Sequence, residues 1–157
     1  MSGETGIRDL QTGLFTRDYF DEVIGRELER SRRHDISLSV LSVVLVDLAD
    51  LERTREGLAH DVVVETAKAL QRNLREADTI FRWGDDEFLA LLFGTDAPSC
   101  KKKVEQLGTL FRLWREGNGP LPVSIRVRLG AATHEKDIVF AAVLQAARAA
   151  ARQQTRV

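Results

Sequence analysis

Apolar and polar positions change their spacing several times along the chain, and each change predicts an element. From Thr16 to Arg33, Phe20, Val23, Ile24 and Leu28 recur at helical spacing among charges, which predicts a first helix with one buried face. Ile36 to Leu48 is a Val, Ile and Leu run punctuated by Ser37, Ser39 and Ser42, and its length and β-branched content predict a buried strand. Val63, Ala67, Leu70, Leu74 and Ala77 then predict a second amphipathic helix that ends near Asp78. Thr79 to Trp83 and Glu87 to Phe93 flank Gly84-Asp85-Asp86, a turn sequence between two strands, and predict a hairpin. Asp96 or Ser99 can cap a third helix, with Val104, Leu107, Leu110, Phe111 and Trp114 facing inward and Lys101-Lys102-Lys103 on its first turns. Gly117-Asn118-Gly119-Pro120 breaks it, and Val123 to Ala132 alternates apolar with polar as a half-exposed strand does. Asp137 can cap a last, Ala-rich helix from Ile138 to about Arg152.

Without its end helices this order is βαββαβ, an α+β pattern of the ferredoxin-like kind with a mainly antiparallel sheet and the core helices on one face. In that topology the third core strand lies between the first two, so the end of the first strand meets the hairpin tip. Asp47 is thereby expected to face Asp86 and Glu87. Carboxylates gathered at a strand end can hold Mg²⁺ shared with substrate phosphates, and such a site can run nucleotidyl transfer. Asp at a strand terminus and Gly-Asp-Asp in a hairpin are equally ordinary turn chemistry.

Composition narrows the function classes. The chain has 157 residues, one domain's worth, with 43% hydrophobic and 30% charged residues. Lys+Arg 23 against Asp+Glu 24 leaves a net charge of -1, which argues against holding nucleic acid by bulk phosphate neutralisation. A bound anion must therefore meet a local cluster. The single Cys100 excludes an internal disulfide and fits a reducing compartment. The run from Ile36 to Leu48 is shorter than the roughly 20 residues of a membrane span, and Met1 to Leu10 lacks the apolar core of a signal peptide. The expectation is a cytoplasmic protein with no membrane and no nucleic-acid partner.

Arg82-Trp83-Gly84-Asp85-Asp86-Glu87-Phe88 resembles the signature of GGDEF domains, the family that contains the diguanylate cyclases. The resemblance spans nearly the whole chain, 1–157, with 1–15 as a lead segment. Asp9 to Arg17 is similar to the family's opening D-x-L-T-G-L-x-N-R, Asp47 sits at the place of its strand-end metal Asp, and His60 matches the histidine of its G-H pair. Leu129-Gly130 matches its S-I-G strand, and Arg152 and Arg156 match the basic positions of its closing A-K-x-x-G-R-N. The resemblance implies the nucleotide-cyclase palm, whose active members join two GTP molecules into cyclic di-GMP with Mg²⁺. It assigns Asp47 and Asp86 to the metal, with the Leu48 carbonyl assisting, gives Glu87 the support of the hairpin tip, and turns Arg152 and Arg156 toward phosphates.

The chain departs from that pattern where substrate would lie. Asp85 replaces the second glycine and sets a side chain and a negative charge where a triphosphate would approach. Glu52 replaces a lysine, Arg55 an asparagine that reads guanine, and Val63-Val64 a G-D pair whose Asp does the same. Val64 offers guanine no hydrogen bond, and a site stripped of its polar contacts binds poorly.

A second family feature survives. Arg75-Glu76-Ala77-Asp78 stands five residues before Gly84, the offset of the family's R-x-x-D site for cyclic di-GMP. Arg can fork to guanine O6 and N7 while Asp accepts from guanine N1 and N2. An i,i+3 surface ion pair explains the same two residues. The family's supporting arginine aligns with Gln106, and Lys102 or Lys103, one turn away, is the candidate substitute. The sequence therefore leads to a catalytically inactive GGDEF domain acting as a cyclic di-GMP receptor, with no required cofactor and Mg²⁺ only if GTP binds. The alternatives are a nucleotide-free dimerisation or protein-interaction module and a weak diguanylate cyclase.

Overall fold

The computed structural model describes residues 6–153. A short strand β1 (Phe15–Thr16) leads through a 3-10 turn at Arg17–Tyr19 into α1 (Phe20–His34), and the central strand β2 (Leu38–Val46) follows. After β2 come α2 (Leu48–Thr54), α3 (Leu58–Asn73), the hairpin strands β3 (Thr79–Gly84) and β4 (Glu87–Phe93), α4 (Ala97–Arg115), β5 (Arg126–His134) and α5 (Phe140–Arg152). The sheet order is β1-β3-β4-β2-β5. Every core pairing is antiparallel, and only the added β1 runs parallel to its neighbour β3. As the topology predicted, β4 lies between β2 and β3.

Helices cover both faces of the sheet, not one. Leu41, Val43, Phe88, Ala90 and Leu92 pack with Leu58, Val62 and Leu70 of α3 and Leu107, Phe111 and Trp114 of α4. On the opposite face Leu38, Val40, Phe81, Trp83, Leu89 and Leu91 pack with Phe20, Val23 and Ile24 of α1 and Val143 and Ala147 of α5. The end helices thus close the face that a bare βαββαβ unit leaves open, which is why β2 and β4 read as nearly continuous apolar runs.

Several element ends move from their predicted places. After Asp47 the chain winds into α2, where Leu48 and Leu51, three residues apart, pack against the core; two apolar positions are too few to announce a helix in sequence. The second helix starts earlier, at Leu58, and stops at Asn73, because Leu74 turns extended and Arg75 to Asp78 form a separate turn. Asp96 rather than Ser99 caps α4, accepting the Ser99 N–H at 2.9 Å. The last strand begins at Arg126, after the Ile125 N–H donates to the Trp114 carbonyl. Asp137 does not cap α5: it takes a left-handed φ of 71°, and Val139 is the cap of a helix that starts at Phe140.

Gly130 sets how closely α5 lies on the sheet. A Cβ at this position would overlap the Ala147 carbonyl and the Ala151 backbone nitrogen, so only glycine lets the helix cross here. That close crossing carries the arginines of α5 to the hairpin.

Candidate functional site

Chemistry-bearing residues collect at the two ends of the β3–β4 hairpin. At the tip, the Leu45 N–H donates to the Asp86 carbonyl at 2.7 Å and joins the turn to the end of β2. Asp47 follows with a left-handed φ of 61° and lines an open cleft together with Leu48, Asp50, Glu52, Asp85 and Asp86. The predicted convergence of Asp47 and Asp86 on one cleft is met. Glu87 points the other way: its side chain is only 3% exposed and lies under α5.

Two arginines hold Glu87 there. Arg148 donates Nε to Oε2 at 2.7 Å and Nη2 to Oε1 at 3.0 Å, Arg152 donates Nη2 to Oε1 at 3.0 Å, and the Ser42 hydroxyl reaches Oε2 at 3.3 Å. Burial alone pushes the Glu87 carboxyl up, but Arg148 and then Arg152 outweigh it and hold the group below the usual carboxylate range. Arg152 also lies 3.5 Å from Asp86, and Arg126 from the neighbouring strand lies 3.3 Å from Asp47. Arg156 falls outside the described residues.

A cation of the kind the resemblance implies needs an open shell of oxygen ligands. Here Asp47 and Asp86 each carry a guanidinium, and among the described residues no three acidic, His or Cys side chains gather into a metal site. The two carboxylates of the donor set that the resemblance assigns are thus already paired with arginines of the chain.

The positions expected to read base and phosphate are turned to local structure. Glu52 accepts the Gly57 and Ala59 N–H groups at 3.0 Å each, which hold its carboxyl below the usual range and close the start of α3. Arg55 pairs with Asp61 at 3.4 Å, and Val63 is packed in the core while Val64 is half-buried. Asp85 is exposed and lies outside the left-handed region, so its arrival in place of glycine strains no backbone. What it alters is space and charge.

Arg82 organises the back of the tip. Its guanidinium donates to the Gly84 and Asp85 carbonyls at 2.6 and 2.7 Å, to Gln11 Oε1 at 2.7 Å and to Asp9 Oδ2 at 3.3 Å. Gln11 in turn meets His60 Nδ1 at 2.9 Å, so the lead segment, the hairpin and α3 share one network that gives His60 a structural contact. Sequence reasoning missed Arg82, Arg126 and Arg148 as site residues. Arg148 alone carried a signal, since it stands one turn before Arg152 on the same face of α5.

At the opposite end of the hairpin, the Asp78 side chain is 3% exposed and accepts the Arg75 N–H at 2.8 Å and Arg75 Nη2 at 3.1 Å. The same Nη2 also reaches the Phe93 carbonyl at 2.6 Å and Thr95 Oγ1 at 3.0 Å. Lys103 Nζ donates to the Asn73 carbonyl at 2.8 Å, which brings it to the end of α3 two residues from Arg75. Lys102 and Gln106 are exposed on α4.

The antiparallel sheet clad by helices on both faces, with Asp47 and Asp86 meeting at the end of its central strands, defines a nucleotide-cyclase palm. Within that class, residues 7–156 match the family described as "Diguanylate cyclase, GGDEF domain", and the chain belongs to it. It is 29% identical over 129 residues to the probable diguanylate cyclase DgcC of Escherichia coli, covering 80% of this chain and 34% of that protein. The chain thus spans about a third of that relative's length. Among solved structures, the diguanylate cyclase SiaD in complex with its activator SiaC from Pseudomonas aeruginosa superposes with a TM-score of 0.81 at 29% identity, over 95% of this chain and 58% of that one. The GGDEF domain of DgcB from Caulobacter crescentus in complex with c-di-GMP shares the fold, with a TM-score of 0.80 at 18% identity over 93% of this chain and 85% of that one. Among the described residues no helix is long and apolar enough to cross a membrane.

Proposed function

We propose that this GGDEF domain does not turn over GTP and instead answers to cyclic di-GMP, binding it through Arg75, which the buried Asp78 holds in place, and altering its contacts with a second copy or a protein partner. The observation that carries the reading is the state of Arg75. Its Nη2 is anchored on Asp78, Phe93 and Thr95, while Nε and Nη1 have no partner among the described residues and the side chain is 55% exposed. A guanidinium held by one nitrogen and open at the others suits a guanine edge or a phosphate. Lys103 stands near enough to the loop to add charge, and Lys102 is free to swing toward a ligand.

Loss of turnover is supported by the tip. The carboxylates that resemblance assigns to the metal carry arginines, Asp85 adds negative charge to the cleft, Glu52 is taken up by the Gly57 and Ala59 N–H groups, and Val64 has no polar side-chain atom to offer guanine. The cyclic di-GMP complex of DgcB supports the ligand class, and the SiaC complex of SiaD supports a protein partner. That second complex also favours a further reading, in which the domain docks a protein with no nucleotide.

Isothermal titration with cyclic di-GMP separates these readings. Heat with the wild type and none with Arg75→Ala supports the receptor; no heat with either leaves the docking module. Incubation with GTP and Mg²⁺ at high protein concentration is expected to give no cyclic di-GMP, and product in that assay overturns the inactive reading.

A further inference from the structure

Two arginines sit on the two carboxylates that resemblance assigns to a divalent cation. We propose that Arg126 is a built-in counter-ion that takes the cation's place on Asp47, so that the tip of this domain is electrostatically complete without metal. The proposal rests on the reading that the tip does no catalysis.

The sheet register dictates the contact. Val46, the last residue of β2, pairs with Arg126, the first residue of β5. Asp47 comes next and turns left-handed, so its carboxylate stands at the sheet end beside the neighbouring strand's first side chain, and Arg126 Nη1 lies 3.3 Å from Asp47 Oδ2. No loop has to close to make this pair. Arg152 approaches from a different element, α5, and spans Asp86 at 3.5 Å and Glu87 at 3.0 Å, while its own carbonyl accepts Arg128 Nη1 at 3.4 Å. Each carboxylate thus has a separate cation supplied by the chain.

Two effects act on an arriving divalent ion. It must displace a guanidinium from the oxygen it needs, and it must sit within a few ångströms of a fixed positive charge, where like charges repel. The Arg126–Asp47 pair is 36% and 49% exposed at its two side chains, so the displacement itself is a weak barrier. Repulsion adds to it, and both vanish when the guanidinium is removed.

The test is a Mn²⁺ titration of the whole chain without nucleotide, reading free Mn²⁺ by its electron paramagnetic resonance signal. Arg126→Ser and Arg126→Gln are both expected to bind Mn²⁺ about tenfold more tightly than the wild type or better. Adding Asp47→Asn to either is expected to abolish the gain, with circular dichroism confirming that each variant is folded. Equal affinity in wild type and both variants overturns the proposal, and so does a gain that survives Asp47→Asn. The GTP and Mg²⁺ incubation keeps the two readings apart: cyclic di-GMP formed by the wild type removes the inactive reading whatever the Mn²⁺ titration gives, and no Mn²⁺ gain with no product removes only the counter-ion.

Discussion

The two ends of one hairpin treat their charges in opposite ways. At the tip, Asp47, Asp86 and Glu87 are each met by an arginine from another element, and the deepest of them, Glu87, takes three guanidinium hydrogen bonds. At the far end, roughly 20 Å along the strands by their rise per residue, the charge that matters is the arginine. Arg75 is anchored through a single nitrogen and left open at the others. Saturated charge makes structure, and unsaturated charge can meet a ligand. One hairpin thus joins both ends, and on the reading proposed above the tip serves structure while the base meets the ligand.

The largest expected effect comes from breaking the saturated end. Arg148→Ala removes the two-bond partner of a buried carboxylate and is expected to cost about 3 kcal/mol of unfolding free energy, the low end for such a loss because Arg152 remains. Urea denaturation measures it. The pH dependence follows from the same contact. The folded-state value of Glu87 lies below its ordinary 4.5, so its stabilisation is present above that value and is lost as the pH falls below it. In Arg148→Ala the acid limb of a stability profile should flatten, and an unchanged limb would show that the contact does not set the titration.

Arg75→Ala at the open end is expected to weaken cyclic di-GMP binding by about 2 to 3 kcal/mol, the scale of lost charge-assisted hydrogen bonds, while the Asp47 end stays intact. Gly130→Ala tests whether the close crossing of α5 sustains the tip, since the helix must move off the sheet and draw Arg148 and Arg152 with it. Its cost is expected near 2 kcal/mol, with cyclic di-GMP binding unaffected in titrations of the folded variant. The smallest effect belongs to Asp85→Gly. The residue is exposed and unstrained, so stability should move by no more than about 0.5 kcal/mol, and GTP turnover should not return because the arginine pairs and the altered base contacts remain.

Much of this contrast was legible in the chain. Period-two and period-3.6 patterns are local, so the hairpin, the core helices and the meeting of Asp47 with Asp86 followed from spacing and topology. The second helical layer was harder to see, because the positions that face α1 and α5 look like any other apolar residues in a buried strand. Ends moved where the turn chemistry is tertiary: Asp137 resembles a cap in sequence, yet the chain turns left-handed there and begins α5 at Phe140. Arg126 could not be picked out, since only the pairing of Val46 with Arg126 places it beside Asp47. Arg75 and Asp78 were singled out by their offset from Gly84, but the anchoring of Nη2 depends on Phe93, the last residue of β4, and on Thr95 just beyond it.

That anchoring also bears on speed. A free arginine side chain wanders among many rotamers and must be captured in one of them when a ligand arrives, which slows productive encounters and costs entropy. Arg75 is already stopped by three acceptors on one nitrogen. A ligand that docks on its outer edge finds the fork standing still, so association should run in one step without a preceding rearrangement, and differences in affinity among ligands should appear in how slowly they leave.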